Sequence, residues 1–310
     1  MNILLTGAYG FVGTNLCRYL VAKGHECLAL DVPAAKRDDV PYAAFFTWDE
    51  LDRIPAVDAV VHLAGKAHDT KNVTKPEAYF DINVGLTKRI FEAVREKVKA
   101  KGPGQQPKVR FVYFSSIKAL DGDTPYAQSK RAAEEYLKEA NDPTLAADLD
   151  LCVLEPAMIH GPGNKGNLNL LVQVVKKGIP WPLAAFANNR SFTSIGNICA
   201  VVEALCAHGP SGTYPMCDDT PVSTNRLIEL ISEAYGRKAR LWKIPRGLMR
   251  AVASVGSVLR LPLNRERLGK LTEDSVVDNS RIKEALGWAS MPVSAEDGLR
   301  ETLKSFVEEK

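Results

Sequence analysis

The feature that most constrains this chain lies within its first thirteen residues. Residues 2–5 are a short apolar run of buried-strand character. Thr6-Gly7-Ala8-Tyr9-Gly10-Phe11-Val12-Gly13 follows at once and leads into a helix-period segment over 13–23. Three glycines at a strand-to-helix turn mark backbone that must approach something closely, where a Cβ would intrude. The helix start behind them offers N–H groups and a partial positive charge, a natural seat for a pyrophosphate. Asp31 ends the next predicted strand, 26–30, where a carboxylate accepts hydrogen bonds from an adenosine ribose. That placement favours NAD, while Lys36 and Arg37 keep the 2′-phosphate of NADP open.

The alternation continues. Residues 44–46, 58–63 (DAVVHL), 109–114 (VRFVYF) and 151–154 read as strands, with helices over about 76–101 and over 126–140. Strands alternating with helices predict an α/β fold, a Rossmann doubly wound parallel sheet with right-handed crossovers. Strands covered on both faces explain apolar runs that do not alternate. Residues 1–160 are expected to form the dinucleotide-binding domain, completed by part of 192–218. Residues 161–310 are expected to form mainly a smaller α/β substrate domain. There, 168–177, 197–208, 224–235 and 294–309 read as helices, 212–217 as a strand, and IPWPLAAFANNRSF as irregular.

Composition works by exclusion. With 40 Lys and Arg against 37 Asp and Glu, the net charge of +3 argues against a nucleic-acid binder and against an acidic tail. Cys17, Cys27, Cys152, Cys199, Cys206 and Cys217 form no CxxC pair and have no His cluster beside them. No metal is expected, and the thiols read as core residues in a reducing compartment. No signal-peptide pattern opens the chain. The apolar stretch 247–263 is interrupted by Arg250 and Arg260 and is too short for a bilayer span. A cytoplasmic protein without a membrane partner is therefore expected, with that stretch packed as a helix of the smaller domain. Charge is uneven, since 226–270 holds 11 Lys and Arg against 3 Asp and Glu. This is either a solvated basic face or a surface that draws a diphosphate ester.

The chemistry gathers after the strand 109–114. Ser115 and Ser116 stand at its C-terminal end, where open α/β sheets place their ligands. Tyr126 and Lys130 follow in YAQSK, one helical turn apart on one face. A phenol titrates near about 10, and a neighbouring ammonium together with a nicotinamide cation would bring it towards working pH. The set suggests proton transfer to or from an alcohol, coupled to hydride transfer, with Ser116 orienting the same oxygen. His62-Leu63-Ala64-Gly65 ends the fourth strand with small residues for close ligand approach. His62 itself reads as a hydrogen-bonded strand-end residue. Asn83 is either a helix-surface amide or a buried anchor. Lys118 is a loop residue or a substrate contact, and Trp181 stacks on a base or fills a gap.

TGAYGFVG, HLAG, Asn83, the serine pair and YAQSK, in this order, resemble the extended short-chain dehydrogenase/reductase enzymes of the NAD-dependent epimerase/dehydratase family. EPAMIHGPGNKGNL, NNRSFTSIGN and DNSRIKEALGW are similar to landmarks of its nucleotide-sugar (UDP-glucose) 4-epimerase-like branch. The resemblance implies Gly7, Gly10, Phe11, Val12 and Gly13 at the pyrophosphate and Asp31 at the ribose. It implies Leu63, Ala64, Gly65, Asn83 and Pro156 along the cofactor, Pro156 following the sixth strand. Ser116, Tyr126 and Lys130 are the implied catalytic set, with Tyr126 and Lys130 also on the cofactor. Ser116, Lys118, Asn167, Leu168 and Arg190 are implied on a nucleotide-diphosphate sugar, and homodimers pair through two helices of each protomer.

The departures are specific. Glu155 replaces a usual Arg, His160 replaces a usual Tyr, and only nine residues separate Ser116 from Tyr126. Thr47-Trp48-Asp49 stands where an adenine-side motif is expected. Ile117 and Lys118 stand where a 4,6-dehydratase would carry its extra acid and base. Two reactions remain: a 4-epimerase with tightly held NAD, which Asp31 favours, or a 4-keto-sugar reductase using NAD(P)H. Retention of Tyr126 and Lys130 argues against a third reading, a non-catalytic dinucleotide sensor or scaffold.

Overall fold

Apolar runs buried on both faces build the central sheet. In the computed structural model, which describes residues 1–66, 75–100, 108–141, 149–164, 168–259 and 264–308, the strands are β1 (Asn2–Thr6), β2 (Glu26–Leu30), β3 (Ala44–Phe46), β4 (Ala59–His62), β5 (Val109–Phe114) and β6 (Leu149–Pro156). β7 (Met158–His160) and β8 (Phe192–Ser194) form a separate parallel pair, and β9 (Gly212–Met216) returns to the main sheet. Its order is β3-β2-β1-β4-β5-β6-β9, all parallel, with Thr6 opposite Leu30 and His62 and Phe114 opposite Leu154. This is the doubly wound Rossmann architecture.

The chain divides into two units. The first comprises Met1–Ala157, Asn197–Met216 and Asn279–Ser290; the second comprises Met158–Gly196, Cys217–Asp278 and Met291–Lys310. The first unit carries α1 (Phe11–Ala22), α2 (Pro76–Asn83), α3 (Gly85–Ala100), α4 (Lys118–Asp121) and α5 (Pro125–Ala140). Leu4, Leu28, Phe91, Phe111, Leu137 and Val153 are among its core residues. After α6 (Leu168–Lys176) and α7 (Ile195–His208) come α8 (Thr224–Ala234), α9 (Arg246–Val258), α10 (Arg265–Thr272), α11 (Ser280–Leu286) and α12 (Ala295–Glu308). The core of the second unit joins Leu168, Trp181, Phe192, Ile231, Ala253 and Leu299.

Local departures from the sequence reading have local causes. The single helix expected over about 76–101 is two, α2 and α3, broken at Val84. The Thr87 hydroxyl donates to Asn83 O at 2.6 Å and competes with the backbone ladder there, and Gly85 follows the break. β6 runs through Pro156 instead of stopping before it. Proline lacks only a donor, and its carbonyl still accepts the Ile117 N–H at 3.3 Å. Lys118 opens the one-turn helix α4 and is not a loop residue. β7 and β8, three residues each, are too short to show a period in sequence.

Trp181 fills the core of the second unit and donates through Nε1 to Asn225 Oδ1 at 3.1 Å. In α9, Met249 and Ala253 face that core while Leu248, Val252 and Val255, with Leu259 just after the helix, are exposed. His160 is buried between Thr302 Oγ1, at 2.9 Å, and Asp218 Oδ2, at 3.4 Å. All six cysteines are buried thiols, none in a disulfide. Among the described residues no cluster of three or more His, Cys, Asp or Glu is arranged to hold a metal ion, and no helix is long and apolar enough to cross a membrane.

Candidate active site

The β1–α1 turn is shaped by what it cannot contain. Gly7 has φ +61°, and a Cβ there would lie 2.8 Å from Ala64 N. One on Gly13 would lie 2.5 Å from Ala8 O and 2.7 Å from Gly7 O. Gly10 precedes α1 without a side-chain cap, and the helix has no acidic residue in its first turn. Its N-terminal dipole is therefore not offset by a carboxylate of its own first turn. Asp31 is held against this turn: Oδ2 accepts the Tyr9 N–H at 3.0 Å and Oδ1 the Val32 N–H at 2.8 Å. Beside it Arg37 donates to Thr14 Oγ1 at 2.8 Å, and its guanidinium lies 6.0 Å from the Tyr9 ring centre. Phe11 and Val12 are half-buried at the start of α1. The close glycine turn and the open helix end fit a dinucleotide.

At the end of β4 the hydrogen bonds run in one consistent direction. The Ala64 N–H donates to Thr6 Oγ1 at 3.0 Å. The Thr6 hydroxyl donates to His62 Nδ1 at 2.6 Å, because Thr87 spends its own proton on Asn83 O and must accept from Nε2–H. His62 Nε2–H then donates to Thr87 Oγ1 at 2.9 Å, and Thr87 in turn to Asn83 O. This chain needs a neutral imidazole. Burial, with the Lys130 charge adding to it, pushes the His62 pKa down to about 3. His62 is thus a hydrogen-bonded strand-end residue, as expected. Asn83, 1% exposed, is the buried anchor of its two alternatives. Its Oδ1 accepts the Lys66 N–H at 2.7 Å and its Nδ2 donates to Ser129 Oγ at 2.8 Å. Leu63 is half-buried and Ala64 buried.

Ser116, Tyr126 and Lys130 come together beyond β5. α5 starts where Thr124 accepts the Ala127 N–H at 3.2 Å and Pro125 takes the first helical position. Tyr126 hydrogen-bonds Ser116 and meets the Tyr79 ring edge-on at 6.3 Å. Burial pushes the phenol above its ordinary value, and the Ser116 bond pulls it back in part. In the chain by itself burial therefore outweighs the lowering that the Tyr–Lys spacing suggested. Lys130 is buried, and its Nζ donates to Phe114 O at 2.7 Å and lies 5.0 Å from the Tyr113 ring centre. A Cβ on Gly65 would be 3.3 Å from that Nζ and 2.9 Å from Asn83 Oδ1, so the β4 end and α5 meet through glycine. Burial pushes the Lys130 pKa down to about 8, against the upward pull of Glu134. Lys118 Nζ lies 6.0 Å from the Tyr126 ring centre. Pro156 is buried at the end of β6.

The remaining expected positions belong to the second unit. Asn167 lies outside the described residues. The Leu168 side chain is packed into the core and is not offered to a ligand. Arg190 is half-buried, and its Nη1 donates to Lys270 O. Much of the basic surplus of 226–270 has structural employment. Arg226 bridges Glu229, Glu233 and Glu296, Arg237 donates to Val175 O and Lys176 O, and Arg240 donates to Gly178 O. The arginines near the α6 C-terminus meet carbonyls that a helix end leaves open. Sequence reasoning missed Tyr79, Ser129 and Glu134, whose contacts cross between elements. Only the i, i+4 spacing of Lys130 and Glu134 pointed to any of them.

The model of the NAD dependent epimerase/dehydratase family matches residues 3–214. The chain is 27% identical to a UDP-glucose 4-epimerase of Vibrio cholerae, over 99% of its own length and 96% of the relative's. It is 37% identical to a UDP-2-acetamido-2,6-beta-L-arabino-hexul-4-ose reductase of Pseudomonas aeruginosa, over 44% of this chain and 31% of that protein. A crystal structure of the Thermus thermophilus UDP-glucose 4-epimerase complex with NAD shares the fold. Its TM-score is 0.71 at 23% identity, with 99% of each chain covered.

Proposed function

We propose, from the premise that this chain belongs to the NAD dependent epimerase/dehydratase family, that it is an NAD-dependent 4-epimerase of a nucleoside-diphosphate sugar. The observation that carries the reading is the meeting of Ser116, Tyr126 and Lys130 at the edge of the sheet that also bears the glycine turn. Gly7, Gly10 and Gly13, with Phe11 and Val12, would hold the pyrophosphate of NAD, and Asp31 its adenosine ribose. Leu63, Ala64, Gly65, Asn83 and Pro156 would line the rest. When bound, NAD supplies the chemistry of taking and returning a hydride at the sugar carbon.

The chain's own groups do the remainder. Ser116 hydrogen-bonds the C4 oxygen and aligns it with Tyr126. Tyr126 takes the hydroxyl proton and later gives it back. Because burial holds the phenol above its ordinary value, it rests protonated and needs a positive field to work. Lys130, fixed on Phe114 O one turn away, is the resident cation that provides it. Lys118, Asn167, the Leu168 backbone and Arg190 are the proposed contacts of the nucleotide sugar. Six buried cysteines outside any disulfide support a reducing, cytoplasmic setting. A homodimer, pairing through two helices of each protomer, completes the reading, and its mass in solution tests it.

A second reading is a 4-keto-sugar reductase, favoured by the Pseudomonas aeruginosa relative and by Arg37 beside Asp31. The purified protein, given UDP-glucose or UDP-N-acetylglucosamine without added cofactor, is expected to yield a mixture of C4 epimers by proton NMR. No epimer from either, with a 4-keto sugar consumed against added NADPH, would replace the first reading with the second.

A further inference from the structure

Beneath Lys130 lies an acidic cluster that the reaction as described does not use. Glu134 follows Lys130 by one turn on the same face of α5 and is 5% exposed. One carboxylate oxygen, Oε1, accepts the hydroxyl of Ser115, the residue before Ser116. The other, Oε2, lies 3.4 Å from Lys138 Nζ. Glu155, on the neighbouring strand β6, is 2% exposed, and its carboxyl feels the charge of Glu134. The two strands are tied at this level, where Leu154 O accepts the Ser115 N–H at 2.7 Å. A buried site disfavours two adjacent carboxylate charges, and a proton on one of them relieves the conflict.

We propose that Glu134 and Glu155 form a proton-sharing pair of positioning residues, a counter-ion for Lys130 and, through Ser115, an anchor for the strand end that carries Ser116. This rests on the catalytic reading of Lys130 and Ser116. The groups that face the pair are Tyr113 from β5, Ser115 just past its end, Lys130 and Lys138 from α5, and Arg281 from α11. Burial and then Glu134 push the Glu155 pKa up to about 7, with Lys138 and Arg281 opposing. The pair therefore holds one proton below neutrality and releases it as the pH rises towards the range in which Lys130 would lose its own. The added negative charge raises the lysine pKa, so the pair defends the ammonium as the solution turns alkaline.

The test follows Lys130 itself in ¹³C-lysine-labelled protein, its NMR signal assigned by its loss in Lys130→Met. Glu155→Gln, which keeps the shape of the side chain but removes its charge, is expected to lower the Lys130 titration midpoint by about half a pH unit. Glu134→Gln should lower it further, by about one unit. Midpoints unchanged in both variants would overturn the proposal. Infrared spectra of the wild-type protein give a reading that does not depend on the variants folding. A protonated-carboxyl band at pH 6 that fades by pH 8 is expected, and its absence at pH 6 would also overturn it. Neither measurement needs turnover, so a protein that epimerises nothing removes the catalytic reading, while the coupling of the pair to Lys130 is still read on its own. An active enzyme with an unmoved Lys130 removes this inference alone.

Discussion

The β1–α1 turn and the Ser116–Tyr126–Lys130 set lie on one sheet, yet they are made of opposite materials. The turn is backbone. Its identity residues are glycines, and what matters is that a Cβ would collide with Ala64 N, Ala8 O or Gly7 O. The second site is side chain, a phenol, a hydroxyl and an ammonium whose behaviour is set by burial and by Phe114 O. A site made of backbone fails through geometry when it is changed. A site made of side chains can lose its chemistry while its shape survives.

Tyr126→Phe should show this separation most strongly. Removing the hydroxyl deletes the proton carrier but keeps the ring against Tyr79. The expected loss in kcat is about 10²- to 10⁴-fold, with NAD binding retained in a fluorescence titration. A Phe variant with wild-type turnover would falsify the role of the phenol. Gly13→Ala should do the converse. A methyl 2.5 Å from one carbonyl oxygen and 2.7 Å from another forces the turn apart. The expected cost is about 1–3 kcal/mol in unfolding free energy, together with NAD affinity. Normal NAD binding by this variant would mean that the turn is not the pyrophosphate seat.

The same division explains what was legible in the sequence. The glycine turn and the Tyr–Lys spacing are local, so one strand and one helical turn of sequence contain them. Apolar runs such as VRFVYF likewise declared a strand covered on both faces. Asn83, by contrast, meets Lys66 and Ser129, and Glu134 meets Ser115 and Glu155. These partners lie far apart along the chain, and no period or motif encodes them. The break between α2 and α3 was hidden for a related reason. It depends on one threonine hydroxyl choosing Asn83 O, which apolar periodicity does not register.

His62 joins the two sites, and its titration sharpens the contrast between them. One nitrogen receives the Thr6 hydroxyl next to the turn; the other donates to Thr87, which leads to Asn83. The folded pKa of about 3 lies below the ordinary value of an unfolded histidine, about 6.5. The unfolded chain therefore binds the extra proton first. This contribution to stability is whole above pH 6.5 and is lost as the pH falls towards 3, by up to about 1.4 kcal/mol per unit. Urea midpoints measured between pH 7 and 5 should fall more steeply in the wild-type protein than in His62→Gln, although the variant starts lower. Parallel slopes would show that the ring is not the neutral link described.

Asp31 carries the smallest expected effect, because it is a side chain in the service of backbone. Its two oxygens accept the Tyr9 and Val32 N–H groups, which orients the carboxylate beside the turn. Asn at this position keeps one acceptor oxygen and loses the charge. The turn should survive with little change in unfolding free energy, while NAD affinity falls by about tenfold through one lost charge-assisted hydrogen bond. NADP should lose less, or gain, because removal of the carboxylate takes away the repulsion of a 2′-phosphate and leaves Arg37 nearby. The ratio of the two dissociation constants is thus the informative quantity. If both cofactors weaken equally, Asp31 acts only as a brace for the turn, and the discrimination between them resides elsewhere.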